Sequence, residues 1–306
     1  FILLDFLKEE GVAPTLIREL SEFRASYDVP EEARRRLSPP RYFYYGPDLW
    51  EEALSALLCG ENLLLTGPKA TGKNVFAENL AAAFGRPVWN ISLSIHSDAA
   101  SLVGSDTFRN GEVVFREGPV SRCARLGGFG VLDEINMAKN EALAVLHETL
   151  DYRRCIDIPG YDQIRLHPAS RFIATMNYGY AGTRELNEAL ASRFVVIEMP
   201  LISDEYLQKL LRREFPSLSD LWNRQFSELF QELQRKCASG EISAKALDLR
   251  GLIASVRLIR KGLPAVRALR LGIVNKVFDS YERQLIDDLI RSRIPQDLDK
   301  TSVFME

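Results

Sequence analysis

The chain has 306 residues, 46% of them hydrophobic and 26% charged, with a formal net charge of −3. That length predicts two domains and leaves ample apolar material for a core. The near-neutral balance argues against bulk electrostatic binding of nucleic acid, and no apolar run approaches the ~18 residues needed to span a bilayer. The opening Phe1-Ile2-Leu3-Leu4 is cut by Asp5 and has no basic stretch or cleavage site, so it does not read as a signal peptide. The missing initial Met predicts that the true N-terminus lies upstream. Residues 1–40 read as a helical lead-in. Leu4, Phe6 and Leu7 form one apolar cluster; Leu16, Ile17, Leu20 and Phe23 form another at helical spacing. Asp28 is placed to cap a helix with Pro30 in its first turn, and Ser38-Pro39-Pro40 breaks the chain.

Residues 41–200 alternate between short apolar, β-rich runs and helical stretches. The runs are 62–66, 88–92, 129–132, 172–175 and 195–199; helices are expected at 75–84 and 141–150. Buried-looking strands alternating with helices predict a parallel sheet with crossover helices. From 201 to 306 the strands stop. Helical periodicity at 221–237, 243–261 and 263–278 predicts a separate all-helical domain. Four cysteines (Cys59, Cys123, Cys155, Cys237) are scattered without a CxxC pair, which argues against disulfides or zinc and for a reducing cytoplasm. His96, His147 and His167 lack metal-ligand spacing.

The strongest local signal is Gly67-Pro68-Lys69-Ala70-Thr71-Gly72-Lys73-Asn74-Val75, between an apolar strand and a helix. Glycines let such a loop curl its N–H groups towards phosphate oxygens, the helix N-terminus adds positive potential, and Lys73 reaches the β/γ-phosphates. Asn74 departs from the usual Ser or Thr, whose hydroxyl ligates Mg²⁺; an amide oxygen is also a hard ligand but has different geometry. A second strand ends in Asp133-Glu134. Ligands of such sheets bind at the carboxyl ends of strands, so both acids are expected to face the loop. Asp133 is the candidate for Mg²⁺ and Glu134 for orienting or deprotonating a water. A third strand ends at Asn177, a candidate for holding that water. Arg193 ends a short helix, where its guanidinium can be presented to an adjacent subunit; pairing with a carboxylate is the competing role.

Together, Gly67-xxxx-Gly72-Lys73, Val131-Leu-Asp-Glu-Ile-Asn136, Ile173-Ala-Thr-Met-Asn177 and Leu186-Asn-x-Ala-Leu-x-x-Arg193-Phe194 resemble the AAA+ ATPases. More narrowly, with Leu102-Val-Gly104, Arg116-Glu-Gly118-Pro119 and Leu150-Asp-Tyr-Arg153-Arg154, the chain is similar to the MoxR branch. That branch includes the CbbQ/NirQ/NorQ-type activases and lies near the dynein and midasin modules. The resemblance implies an α/β P-loop core over 41–200, with sheet order 5-1-4-3-2 and two β-hairpin inserts, and a helical lid over 201–306. The hairpins would be 101–115, turning at Asn110-Gly111, and 155–166, turning at Pro159-Gly160. It also implies ATP and Mg²⁺ as cofactors, Asp133 as metal acid, Glu134 as catalytic acid, Asn177 as first sensor and Arg193 as an arginine finger acting across an interface. Arg250, with Lys245 as rival, falls where the second sensor opens a lid helix. The implied assembly is a ring, a hexamer, working in the cytoplasm on a protein client with a von Willebrand factor A-domain partner. Two alternatives stand beside this reading. One is a nucleotide-binding scaffold weak in hydrolysis because of Asn74. The other is a nucleic-acid-stimulated motor, suggested by seven basic residues and no acid between Arg250 and Lys276. Tyr42, Phe43, Tyr44 and Tyr45 suit core packing, with adenine stacking as the rarer role.

Overall fold

The computed structural model describes residues 2–178 and 185–305. Its strands are β1 (Leu63–Thr66), β2 (Val88–Ser92), β3 (Gly104–Arg109), β4 (Glu112–Glu117), β5 (Phe129–Asp133), β6 (Cys155–Ile156), β7 (Ile164–Arg165), β8 (Arg171–Met176) and β9 (Val195–Glu198). Five of them form one parallel sheet in the order β2-β5-β8-β1-β9. Numbered among themselves, these five run 5-1-4-3-2, the order that the resemblance implies. The reason lies in composition: β1 is Leu-Leu-Leu-Thr, buried throughout, and β8 is buried up to its last residue. Strands hidden on both faces need helices on both faces, and parallel crossovers supply them.

Alternation along the strands divides the apolar residues between two cores. Leu64, Leu132, Phe172 and Ala174 join one, with Val120, Cys123 and Leu146. Leu63, Leu65, Phe129, Val131, Ile173 and Ile197 join the other, with Trp50, Phe76 and Leu80. The second core also takes Leu3, Phe6, Leu7 and Leu20 from the N-terminal helices Ile2–Glu9 and Pro14–Ser26. The chain divides into two compact units. The first comprises Phe1–Pro68 and Gly72–Pro200, and the second Lys69–Thr71 and Leu201–Glu306. The N-terminal helices therefore belong to the sheet unit, and Ser38-Pro39-Pro40 is a connector inside it.

Several boundaries differ from expectation. Asp28 caps nothing: the 3₁₀ helix Glu31–Arg36 starts after Pro30, which is extended (φ −56°, ψ 143°) and holds the cap position itself. The helix expected at 141–150 breaks into Asn140–Leu143, a 3₁₀ turn Ala144–Leu146 and His147–Leu150. The first hairpin begins at Gly104, because 101–103 closes the short helix Ala99–Val103, capped by Asp98 and Ser101. β3 and β4 meet at Asn110 (φ 53°) and Gly111 (φ 87°), the left-handed pair that a two-residue hairpin turn requires. The shorter ribbon β6–β7 is also antiparallel.

In the second unit, Asp204–Glu214, Asp220–Ala238, Leu249–Arg260, Ala265–Gly272, Ser280–Arg293 and Lys300–Val303 are helical. The expected 243–261 helix starts only at Leu249, because a 3₁₀ turn occupies Ala244–Ala246 and Leu247 and Asp248 leave helical geometry; the Asp248 carboxylate pairs with Lys276. Leu249–Arg260 and Ala265–Gly272 meet backbone to backbone at two glycines. A Cβ on Gly251 would lie 2.1 Å from the Gly272 carbonyl oxygen, and one on Gly272 would lie 2.1 Å from Ser255 Oγ. The single Ser255 hydroxyl proton is shared between the Gly251 carbonyl of its own helix at 2.8 Å and the Ala268 carbonyl across the crossing at 3.0 Å.

Candidate nucleotide site

The loop after β1 turns at Gly67 (φ 144°), Ala70 (φ 62°) and Gly72 (φ 81°). Gly67 is required twice over: its φ disfavours side chains, and a Cβ there would lie 2.7 Å from the Met199 carbonyl oxygen. Gly72 stands at the N-cap of the helix Lys73–Ala83. Lys73, in that first turn, is buried, and its Nζ donates to the Gly67 and Pro68 carbonyls at 2.9 and 2.7 Å. The ammonium is thus drawn into the curl of the loop. Burial pushes its pKa down to about 8, while the Asp133 charge acts in the opposite direction.

β5 brings Asp133 to the same edge. Asn74 Nδ2 donates to Asp133 Oδ2 at 3.0 Å, and Thr175 Oγ1 donates to Asp133 Oδ1 at 2.5 Å. Loop helix, β5 and β8 therefore converge on one carboxylate. Glu134, the next residue, is exposed and left-handed (φ 56°); its N–H donates to Thr175 Oγ1 at 3.1 Å. The left-handed turn takes the chain out of the strand at the acid. Asn177 is half-buried past the end of β8, where its carbonyl accepts from Asn136 Nδ2 at 3.0 Å. Thr175 and Asn136 carried no role in the sequence reading. Thr175 leaves one signal there: a lone hydroxyl in the apolar run that follows Arg171.

Arg193 is held within its own chain. Its Nε donates to the His147 carbonyl at 3.0 Å, its Nη1 donates to the Ala189 carbonyl, and its Nη2 lies 3.7 Å from Asp151 Oδ2. Asp151 is contacted more closely by Arg153 (2.7 Å), which also reaches Glu148 (2.6 Å). The Arg153 hydrogen bonds hold the Asp151 carboxyl below the usual carboxylate range, so Arg193 faces a firmly ionised partner.

The aromatic segment behind the loop is knitted to its helix. Fully buried Asn79 accepts from Tyr44 N–H (3.3 Å) and donates to the Tyr42 carbonyl (2.8 Å), and Trp50 Nε1 donates to the Tyr44 carbonyl (2.8 Å). The Tyr44 and Phe76 rings lie 4.6 Å apart. The two hairpins touch each other: Tyr161 Oη donates to Asp106 at 2.6 Å, and its ring lies 5.2 Å from Phe115. Phe108 and Val113, opposite each other on β3 and β4, are largely exposed.

In the second unit, Arg250 lies in the first turn of Leu249–Arg260, and Lys245 lies in the 3₁₀ helix Ala244–Ala246; both are exposed. The run of basic residues after Arg250 finds acids elsewhere in the lid. Arg257 pairs with Glu214, Arg270 with Asp287 and Lys276 with Asp248, and Arg260 lies over the Phe215 ring. Among the described residues, no cluster of three or more His, Cys, Asp and Glu is arranged to hold a metal, and no helix is long and apolar enough to cross a membrane.

A five-stranded parallel sheet in this order, with a glycine loop after its first strand and an acid ending its third, defines the class of P-loop nucleotide-binding proteins. The sequence profile of the AAA domain (dynein-related subfamily) matches residues 62–194. The uncharacterized protein SH1500 of Staphylococcus haemolyticus is 34% identical over 256 residues, 82% of this chain and 97% of SH1500. The uncharacterized protein YojN of Bacillus subtilis is 36% identical over 243 residues, 78% of this chain and 80% of YojN. The chain belongs to the AAA ATPase family, and its core matches the dynein-related subfamily within it.

Proposed function

We propose that this protein is a MoxR-type AAA+ ATPase. It hydrolyses ATP in a ring of like subunits, a hexamer, and uses the cycle to remodel or activate a protein client. The observation that carries the reading is the convergence of Lys73, Asn74, Asp133 and Thr175 at one sheet edge, with Glu134 and Asn177 on the same strand ends. The two hairpins support the MoxR assignment. A von Willebrand factor A-domain partner and a cytoplasmic setting belong to the same reading, and four unpaired cysteines suit a reducing compartment.

In this mechanism residues 67–75 wrap the phosphates and Lys73 neutralises the β/γ oxygens. The residue types suit a hard cation: a carboxylate and an amide whose side chains meet at 3.0 Å through Asn74 Nδ2 and Asp133 Oδ2. Asp133 and Asn74 would hold Mg²⁺, which when bound supplies charge neutralisation to the transferring phosphoryl group. Asn177 orients a water. Glu134 accepts its proton as the water oxygen bonds to the γ-phosphorus and the bond to the β,γ-bridging oxygen breaks. Arg193 serves the nucleotide of a neighbouring subunit, and Arg250 or Lys245 meets the γ-phosphate from the lid.

Steady-state hydrolysis is the test. Glu134→Gln is expected to lower kcat by about 100-fold or more while ATP still binds. Turnover by the purified ring that does not depend on Glu134 would sink the assignment. The scaffold reading draws on Asn74 alone, and restoring the hydroxyl with Asn74→Thr separates the two. A large rise in turnover from a near-zero baseline favours the scaffold, whereas robust turnover in both chains favours the enzyme. A nucleic-acid motor draws little support, because Arg257, Arg270 and Lys276 are engaged by acids of the lid itself.

A further inference from the structure

We infer that Thr175 is a positioning residue that sets Asp133 and Glu134 as one unit; the inference rests on the roles proposed above for the two acids. A threonine hydroxyl has one proton to give and lone pairs to receive with. Here the proton goes to Asp133 Oδ1 at 2.5 Å, and the oxygen accepts the Glu134 N–H at 3.1 Å. Thr175 is only 2% exposed, which limits access of water to its hydroxyl.

The backbone explains why a side chain is needed at this point. β5 pairs with β8 up to Leu132 and Ala174, and the ladder ends there. Glu134 then turns left-handed, and its N–H leaves the sheet. The Thr175 hydroxyl takes the place of the missing ladder acceptor. One oxygen atom therefore fixes both the conformation at Glu134 and one side of the Asp133 carboxylate. Asn74 holds the other side at 3.0 Å. Without the hydroxyl, Asp133 keeps one neutral donor out of two, and a strained backbone loses the bond that pins it. Partners that orient ligating carboxylates typically carry 10–100-fold in metal affinity or activity.

The experiment compares Thr175→Val, which keeps the shape and removes the hydroxyl, with Thr175→Ser, which keeps the hydroxyl. Glu134→Gln serves as a separate control. The readouts are kcat and KM for ATP, Mn²⁺ affinity by electron paramagnetic resonance with nucleotide present, and binding of a fluorescent ATP analogue in EDTA. Valine is expected to lower kcat by about 10–100-fold with KM within about threefold, and to weaken Mn²⁺ by about 10-fold. Analogue binding in EDTA should be unchanged, and serine should restore kcat and Mn²⁺ affinity to within about threefold of wild type. If valine matches wild type in both while Glu134→Gln is inactive, the inference fails and the assignment of the acids stands. Serine behaving like valine also overturns it, since size rather than the hydroxyl would then matter. If Glu134→Gln turns over normally, the assignment of that acid fails, and the Mn²⁺ comparison still decides whether Thr175 supports Asp133. Thr175→Cys, similar in size with a weak donor, replaces valine should that chain not fold.

Discussion

Asp133 at the end of β5 and Arg193 just after the helix Glu188–Ala191 are proposed for the same reaction and are held by opposite means. Asp133 is fixed by two neutral donors, Asn74 and buried Thr175, at 3.0 and 2.5 Å. Arg193 is held by carbonyls and by a shared carboxylate at 3.7 Å, in a partly exposed network containing Arg153 and Glu148. Short bonds from neutral donors to a half-buried carboxylate depend less on salt than an ion pair does. An ion pair at that distance and exposure contributes about 0–1 kcal/mol. The contrast teaches that the acid proposed to act within its own chain is held by short bonds from two neutral donors. The side chain expected to serve another subunit instead leans on backbone carbonyls and on one long ion pair, with Asp151 shared by Arg153.

Three substitutions probe that contrast. The largest effect is expected from Asp133→Asn, which sets an amide against the Asn74 amide and the Thr175 hydroxyl. Turnover should fall by about 100-fold or more, equally at low and high salt, in steady-state assays. A strong salt dependence would show that the β5 end is not the locked region. Next comes Arg193→Lys, which keeps the charge but loses the planar fork. Hydrolysis by the assembled ring should drop by about 10-fold or more with nucleotide affinity unchanged, measured by titration of the same preparation. The smallest effect belongs to Asp151→Asn, which frees Arg193 from its nearest acid. Turnover should change by about two- to threefold, in a manner that fades as ionic strength rises from ~0.05 to ~0.5 M. A larger, salt-independent change would mean that Asp151 fixes Arg193 as firmly as Thr175 fixes Asp133.

Much of the fold was legible because its signals are local. Apolar strands, a glycine loop and an acid after β5 each announce themselves within a few residues, and the sheet order follows from the resemblance they carry. What escaped depends on partners distant in sequence. Thr175 looks like one more β-former until β5 lies beside β8. Asn136 bonds a carbonyl 41 positions away. The basic run after Arg250 reads as an open positive face until Glu214, Asp248 and Asp287 fold against it. Asp28 misled in the other direction: it sits at a capping distance from a helix that Pro30 delays. Asp248 does stand at the N-cap of Leu249–Arg260, yet its carboxylate goes to Lys276 rather than to the helix.

The bond between Tyr161 and Asp106 has a mechanical consequence. It joins two ribbons separated in sequence by residues 118–154, so load applied to one is passed sideways to the other without crossing the sheet. A tug at the exposed Phe108–Val113 end would be shared by the shorter ribbon, like two prongs braced by a strut. Cutting the strut with Tyr161→Phe would leave each prong to bend alone.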